Sequence, residues 1–120
     1  MERIRSESRE EQRRWNSETL KLLKEKGADL NKAHKIINVF NLFEDEAVQT
    51  LSRVLEKADF KVVEVMQMNE SDKHSYWSLD AVVELIPELE RINQMTDLCV
   101  DLATKVNNAN YDGWYTQPED

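Results

Sequence analysis

The stretch FKVVEVMQMNESDKHSYWSLDAVVEL, residues 60–85, decides the fold of this chain. From Trp77 onward every second residue is apolar, in the series Trp77, Leu79, Ala81, Val83 and Leu85. Because side chains on a β-strand alternate between the faces of a sheet, this series predicts a strand with one buried and one solvated face. Residues 60–68 predict a preceding strand, and the polar residues 69–74 predict the hairpin loop between them.

One acidic residue interrupts the first of these strands. The alternation places Phe60, Val62, Met66 and Met68 on one face, and Glu64 falls on the same parity. We expect Glu64 either to face a polar partner or to mark a β-bulge, and we regard it as a candidate functional residue.

The remaining elements follow from the spacing of apolar residues. Residues 1–26 favour a helix that ends at Gly27 and docks by its last turns. Beyond it the pattern predicts a strand over 36–43, a helix opening at 44–46, a helix with an apolar stripe from Leu89 to Val106, and a short aromatic edge strand over 111–116. This order predicts an α+β fold, a ferredoxin-like β-α-β-β-α-β sandwich with an extra N-terminal helix. We expect the helix over residues 1–27 and the ferredoxin-like domain over residues 28–120.

Charge is unevenly distributed along the 120 residues. The net charge is -8, and residues 28–120 alone carry eight Lys and Arg against eighteen Asp and Glu. Such an acidic body disfavours direct nucleic-acid binding, which relies on cationic side chains, and it attracts basic partners. The single Cys99, together with the lack of a signal peptide or a long apolar run, predicts a cytoplasmic protein that does not bind membranes.

Sequence motifs of catalytic or metal sites are absent. The only histidines, His34 and His74, lie far apart in polar segments and are expected on the surface. Cys99 falls on an apolar helical stripe, so we expect a buried thiol rather than a nucleophile. We therefore expect no catalytic residues, no cofactor and no metal, and we do not expect an enzyme.

The sequence Tyr111-Asp112-Gly113-Trp114, following this order of elements, resembles the family of regulators of ribonuclease E activity, type B. The segment from Asn38 to Val48 is similar as well, and the resemblance covers residues 18–117. It implies a ferredoxin-like core and a protein inhibitor of the endoribonuclease, which binds the non-catalytic scaffold of that enzyme and alters RNA decay.

The expected partner-binding surface combines aromatic and acidic residues. It comprises Tyr76, Asp80, Glu84, Asp112 and Trp114, which would capture a basic segment of a ribonuclease through aromatic stacking and carboxylate pairing. Alternatively, Gly113 merely permits a bulge and Trp114 packs locally. The alternative function is an oligomerisation or small-ligand-binding module, in which an apolar strip of Val63, Val65 and Val82 on the second sheet face would support self-association.

Overall fold

Seven elements follow one another along the chain, and a computed structural model describes them over residues 5–71 and 74–116, with side chains for residues 10–68 and 75–116. They are α1 (Arg5–Glu25), β1 (His34–Leu42), α2 (Asp45–Lys57), β2 (Lys61–Ser71), β3 (His74–Leu85), α3 (Leu89–Thr104) and β4 (Ala109–Thr116). The α+β class is thereby confirmed. No helix in these described residues is both long enough and apolar enough to cross a membrane.

The four strands form one sheet in the order β2-β3-β1-β4, and all neighbouring strands are antiparallel. β4 is an edge strand, as its short aromatic sequence predicts. The predicted loop over 69–74 is too long, since Asn69 pairs with Ser75 and the link lies at residues 72–73, outside the described residues. Backbone hydrogen bonds extend this hairpin through polar residues because strand pairing does not require apolar side chains.

The core lies between one face of the sheet and the helices. Leu79 and Ala81 of β3 are buried there, and Trp77, Val83 and Leu85 pack against the same cluster, so the predicted buried face is confirmed. The other strands and helices contribute further buried side chains, including Ile36, Phe40, Leu42, Leu51, Leu55, Ile92 and Cys99. Burying each large aliphatic or aromatic side chain contributes roughly 1.5–3 kcal/mol to folding.

A bulge in β2 explains the interrupted alternation. Val62 pairs with Ala81, but Glu64 pairs with Asp80, so Val63 is an extra residue between them. The extra residue shifts the side chains of residues 64–68 to the other face, which confirms that Glu64 marks a bulge. The prediction that Met66 and Met68 share a face with Phe60 is therefore wrong.

The same shift removes the predicted apolar strip. Val65 pairs with Leu79 and so lies on the helix side of the sheet, whereas Val82 lies on the open side. Val63, Val65 and Val82 consequently do not form one strip on one sheet face.

The end of α1 is fixed by Gly27. Its φ of +94° is in the left-handed region, where glycine has no side chain to clash. The Gly27 N–H donates to the Lys24 carbonyl and the Ala28 N–H donates to the Leu23 carbonyl, each at 3.0 Å. This pair of hydrogen bonds is a Schellman motif, so the predicted stop is confirmed.

Two predictions about polar residues need correction. His34 begins β1 and is buried rather than on the surface, with its Nε2 atom 2.7 Å from the Asp29 carbonyl oxygen. The mainly polar α1 docks along its middle as well as its end, because Asn16 is fully buried while Leu22 is exposed. The side chain of His74 lies outside the described residues.

Candidate protein-binding surface

A second bulge shapes the Tyr111–Trp114 segment of β4. Phe40 pairs with Tyr111 but Val39 pairs with Gly113, so Asp112 is the extra residue. Residues three apart on a regular strand face opposite sides, whereas this extra residue brings Tyr111 and Trp114 to the same, helix-covered side. Gly113 has a φ of +139°, a value that side-chain-bearing residues rarely adopt.

Tyr111 ends on a buried asparagine of the neighbouring strand. Its hydroxyl donates to Asn38 Oδ1 at 2.8 Å, and its ring centroid lies 5.2 Å from that of Phe40. The Asn38 amide in turn donates to Met95 Sδ of α3 at 3.5 Å. Burial raises the pKa of the Tyr111 hydroxyl, which keeps it a neutral donor.

Trp114 ends on a second buried asparagine, this one in α1. Its Nε1–H donates to Asn16 Oδ1 at 2.7 Å, and Gln12 Nε2 donates to the same oxygen at 3.0 Å. Asn16 Nδ2 donates to Asn93 Oδ1 at 2.9 Å and to Thr96 Oγ1 at 3.0 Å, both in α3. The Asn16 amide thus makes four hydrogen bonds, the full number available to it, and joins α1, α3 and β4.

The amino-acid sequence contained a signal for Asn16 that sequence reasoning missed. Asn16, Leu20 and Leu23 are spaced by four and three residues, so they lie on one stripe of α1. Thr96 likewise follows Ile92 by four residues on α3. A polar residue on an apolar helical stripe indicates a buried hydrogen-bonded pair, but it does not identify the partners.

The five residues predicted to bind a partner do not lie together. Tyr76, Asp80 and Glu84 lie on one face of β3, opposite the face that forms the core with α1, α2 and α3; we call it the open face. Asp112 is exposed in the bulge at the β4 edge, and Trp114 is half-buried on the helix-covered face. The hydrogen bond from Trp114 to Asn16 agrees with the alternative in which this ring packs locally.

The open sheet face carries an acidic pair at its centre. Glu64 of β2 and Asp80 of β3 are directly opposite, and Val39 and Gly113 continue the row without charge. Glu84, by contrast, is opposite Lys35, which balances its charge. Lys61 is opposite Val82 on the same face, so Glu64 and Asp80 are distinguished as two carboxylates that are directly opposed.

Tyr115 completes this arrangement from the far side of β1. Its hydroxyl is close enough to the Asp80 carboxylate for each group to shift the pKa of the other, and it lies beside the buried Ile37 in the register of the sheet. Burial, then the charge of Asp80, raises the pKa of Tyr115, so its hydroxyl stays protonated as the donor. We call Glu64, Asp80 and Tyr115 the acidic sheet site. Sequence reasoning missed Tyr115 because the bulge at Asp112 determines which sheet face it occupies.

Burial, and then the nearby Glu64 carboxylate, raise the pKa of Asp80, while the Tyr115 hydrogen bond lowers it. A raised pKa means that the folded chain binds this proton more tightly than the unfolded chain. The contribution of Asp80 to stability is therefore lost as pH rises through the interval between its unfolded and folded pKa values. The pair opposes folding at neutral pH, which is typical of groups retained for binding.

We expect Asp80→Asn to raise the free energy of unfolding at neutral pH by roughly 0.2–1 kcal/mol, the range for relief of directly opposed like charges. Asparagine retains an oxygen that accepts from Tyr115. Urea unfolding at pH 7 and pH 4 measures the effect, which should shrink at the lower pH. Glu84→Gln is the matched control, since its charge is opposite Lys35. A destabilised Asp80→Asn protein would contradict the expectation.

No group of three or more His, Cys, Asp or Glu within the described residues is arranged to hold a metal ion. Cys99 is fully buried, as predicted, and burial raises the pKa of its thiol far above the usual range. The arrangement of the open face supports reversible binding of a cationic group.

Comparisons with known proteins identify relatives of this chain. A family model described as "Regulator of ribonuclease activity B" matches residues 13–116. A protein of that name from Pseudoalteromonas atlantica is 33% identical over 117 residues, covering 91% of this chain and 95% of the relative. Another of that name from Alteromonas mediterranea is 28% identical over 110 residues, covering 92% and 83%. The range matched by the family model includes the acidic sheet site, and it includes Asn16 with its hydrogen-bond partners in α3 and β4.

Proposed function

The chain belongs to the family of regulators of ribonuclease activity B, and from this membership we propose that it is a non-catalytic regulator that inhibits ribonuclease E. Inhibition would alter RNA decay through binding to the non-catalytic scaffold of the nuclease. The proposal places the protein in the cytoplasm and requires neither a cofactor nor direct contact with nucleic acid. The oligomerisation or small-ligand alternative is not favoured by the family membership.

The fold proposed to carry this function is the ferredoxin-like sandwich with an additional N-terminal helix. The element order after α1 and the strand order β2-β3-β1-β4 support it. The division into residues 1–27 and 28–120 stays a prediction. The hydrogen bonds of Asn16 to α3 and β4 support a helix that is held against the rest of the chain.

The observation that carries the binding proposal is the direct pairing of Glu64 with Asp80. Two carboxylates held opposite one another repel each other, and a cation that binds between them offsets this repulsion. A basic segment of the ribonuclease supplies such cations, and the overall charge of -8 would accelerate its encounter with the protein. Tyr76 and Glu84, further along the same face, would extend this contact.

We expect inhibition of RNA cleavage by purified ribonuclease E to weaken as salt rises, because the screening length falls from about 30 Å at 0.01 M to about 8 Å at 0.15 M ionic strength. Cleavage is measured at a fixed nuclease concentration with increasing amounts of this protein. Binding of this protein to the nuclease, measured without RNA, is the control that excludes an effect of the protein on the RNA substrate. Unaltered cleavage at every salt concentration would overturn the proposal. Concentration-dependent sedimentation without nuclease binding would favour the oligomerisation alternative.

A further inference from the structure

A groove of about 220 Å³ lies between α1 and the edge strand β4. One wall is formed by Gln12, Trp15 and Thr19 of α1, and the other includes Asp112, Gly113 and Tyr115 of β4. Val39 also lines it. Because Tyr115 both lines the groove and belongs to the acidic sheet site, the two adjoin, and a single extended segment can contact both.

Three aromatic side chains line this groove: Trp114 is half-buried, and the other two are more exposed. Trp15 is 65% exposed and Tyr115 is 47% exposed. The position of Trp15 follows from its neighbour, since Asn16 is held by α3 and Trp15 is rotated about 100° from it around the helix. An exposed tryptophan beside an exposed tyrosine is typical of the anchor positions of protein interfaces.

The charged residues one turn from Trp15 on α1 are acidic, and Arg14 directly precedes it. Its neighbours one turn away are Glu11 and Glu18, together with the uncharged Gln12 and Thr19. Asp112 lies on the opposite wall. The nearby cation Arg13 is directed elsewhere and pairs with Asp97 of α3. The groove therefore combines aromatic side chains with one carboxylate, that of Asp112, and this combination favours a cation.

We propose that this groove binds an arginine side chain from the basic segment of the protein partner, with the guanidinium stacked on Trp15 and paired with Asp112. The inference rests on the proposed function and names the residue type that the partner supplies. Arginine fits better than lysine because its planar guanidinium stacks on an aromatic face while its N–H groups donate to a carboxylate. Trp15 and Tyr115 thus take the anchor role that sequence reasoning assigned to Trp114.

The test uses two fluorescein-labelled synthetic peptides of equal length and charge, one with arginine and one with lysine at every basic position. Anisotropy should show about 2- to 5-fold tighter binding of the arginine peptide, the range for an exposed cation–π contact. Trp15→Ala should abolish the preference and Trp15→Phe should retain part of it. Leu22→Ala is the matched control, since Leu22 is exposed on α1 but does not line the groove.

Equal affinity for the two peptides, or an arginine preference that survives Trp15→Ala, would overturn the inference. Circular dichroism and urea unfolding verify that each variant folds. A cleavage assay with ribonuclease E separates the two proposals. Inhibition by the wild-type protein without arginine preference removes only the groove inference, whereas arginine preference without any inhibition removes the proposed function.

Discussion

Replacing Asn16 by alanine is expected to lower the free energy of unfolding by about 2–4 kcal/mol, because the change leaves several buried polar groups without partners. Trp114 Nε1 and the side chains of Asn93 and Thr96 each lose a bond to the Asn16 amide. Alanine also leaves a cavity between α1 and α3. Chemical unfolding monitored by circular dichroism measures the loss.

Two further variants test whether the hydrogen bonds cause this effect. Ser17→Ala is the control, since Ser17 is the exposed neighbour of Asn16 on the same helix. Trp114→Phe removes only one donor and a part of the ring, so we expect a smaller loss of about 1–2 kcal/mol. Hydrogen exchange should show that Asn16→Ala loosens α1 more than the sheet. Wild-type stability in the Asn16→Ala protein would contradict the role of the network.

The parts of the fold that could be predicted from the sequence depend on residues that are close together in the chain. The alternation in β3 depends on side chains of one strand, so Leu79 and Ala81 could be placed in the core from their spacing alone. The stop at Gly27 is similarly local, because a Schellman motif involves only the last turn of its own helix. Local patterns of this kind therefore predict which residues are buried and where a helix ends.

Features that depend on pairing between strands were less predictable. The bulge at Val63 was one of two interpretations of Glu64, and choosing between them requires the register with Asp80. The bulge at Asp112 reverses the faces of later β4 residues, so Trp114 turns inward and Tyr115 outward. The sequence of one strand does not determine the position of a bulge, because a bulge is defined by the pairing with the neighbouring strand.

The sheet face on which candidate residues lie could be predicted where the strand is regular. Asp80 and Glu84 lie on the open face because β3 alternates without interruption. Neither the opposition of Asp80 to Glu64 nor its closeness to Tyr115 follows from one strand, since both arise from neighbours in the sheet. The acidic sheet site therefore depends on how the strands are paired. The amino-acid composition indicated only that its charge would be negative.

Charge reversal at the acidic sheet site is expected to weaken ribonuclease binding by at least about tenfold, because like charges brought together at an interface cost several kcal/mol. The variant combines Glu64→Lys with Asp80→Lys, which changes the net charge by four, from -8 to -4. It replaces one like-charge pair with another, so folding stability should change less than binding. Surface plasmon resonance with immobilised ribonuclease E measures the affinity at two salt concentrations.

A matched double variant separates local recognition from long-range attraction. Glu25→Lys with Glu56→Lys produces the same net charge, but these exposed residues lie on α1 and α2 rather than on the open sheet face. Because screened attraction depends on total charge, this control should slow association slightly and leave dissociation unchanged. Reversal at Glu64 and Asp80 should instead accelerate dissociation. If both double variants weaken binding equally, net charge alone attracts the partner and the open face is not its binding site.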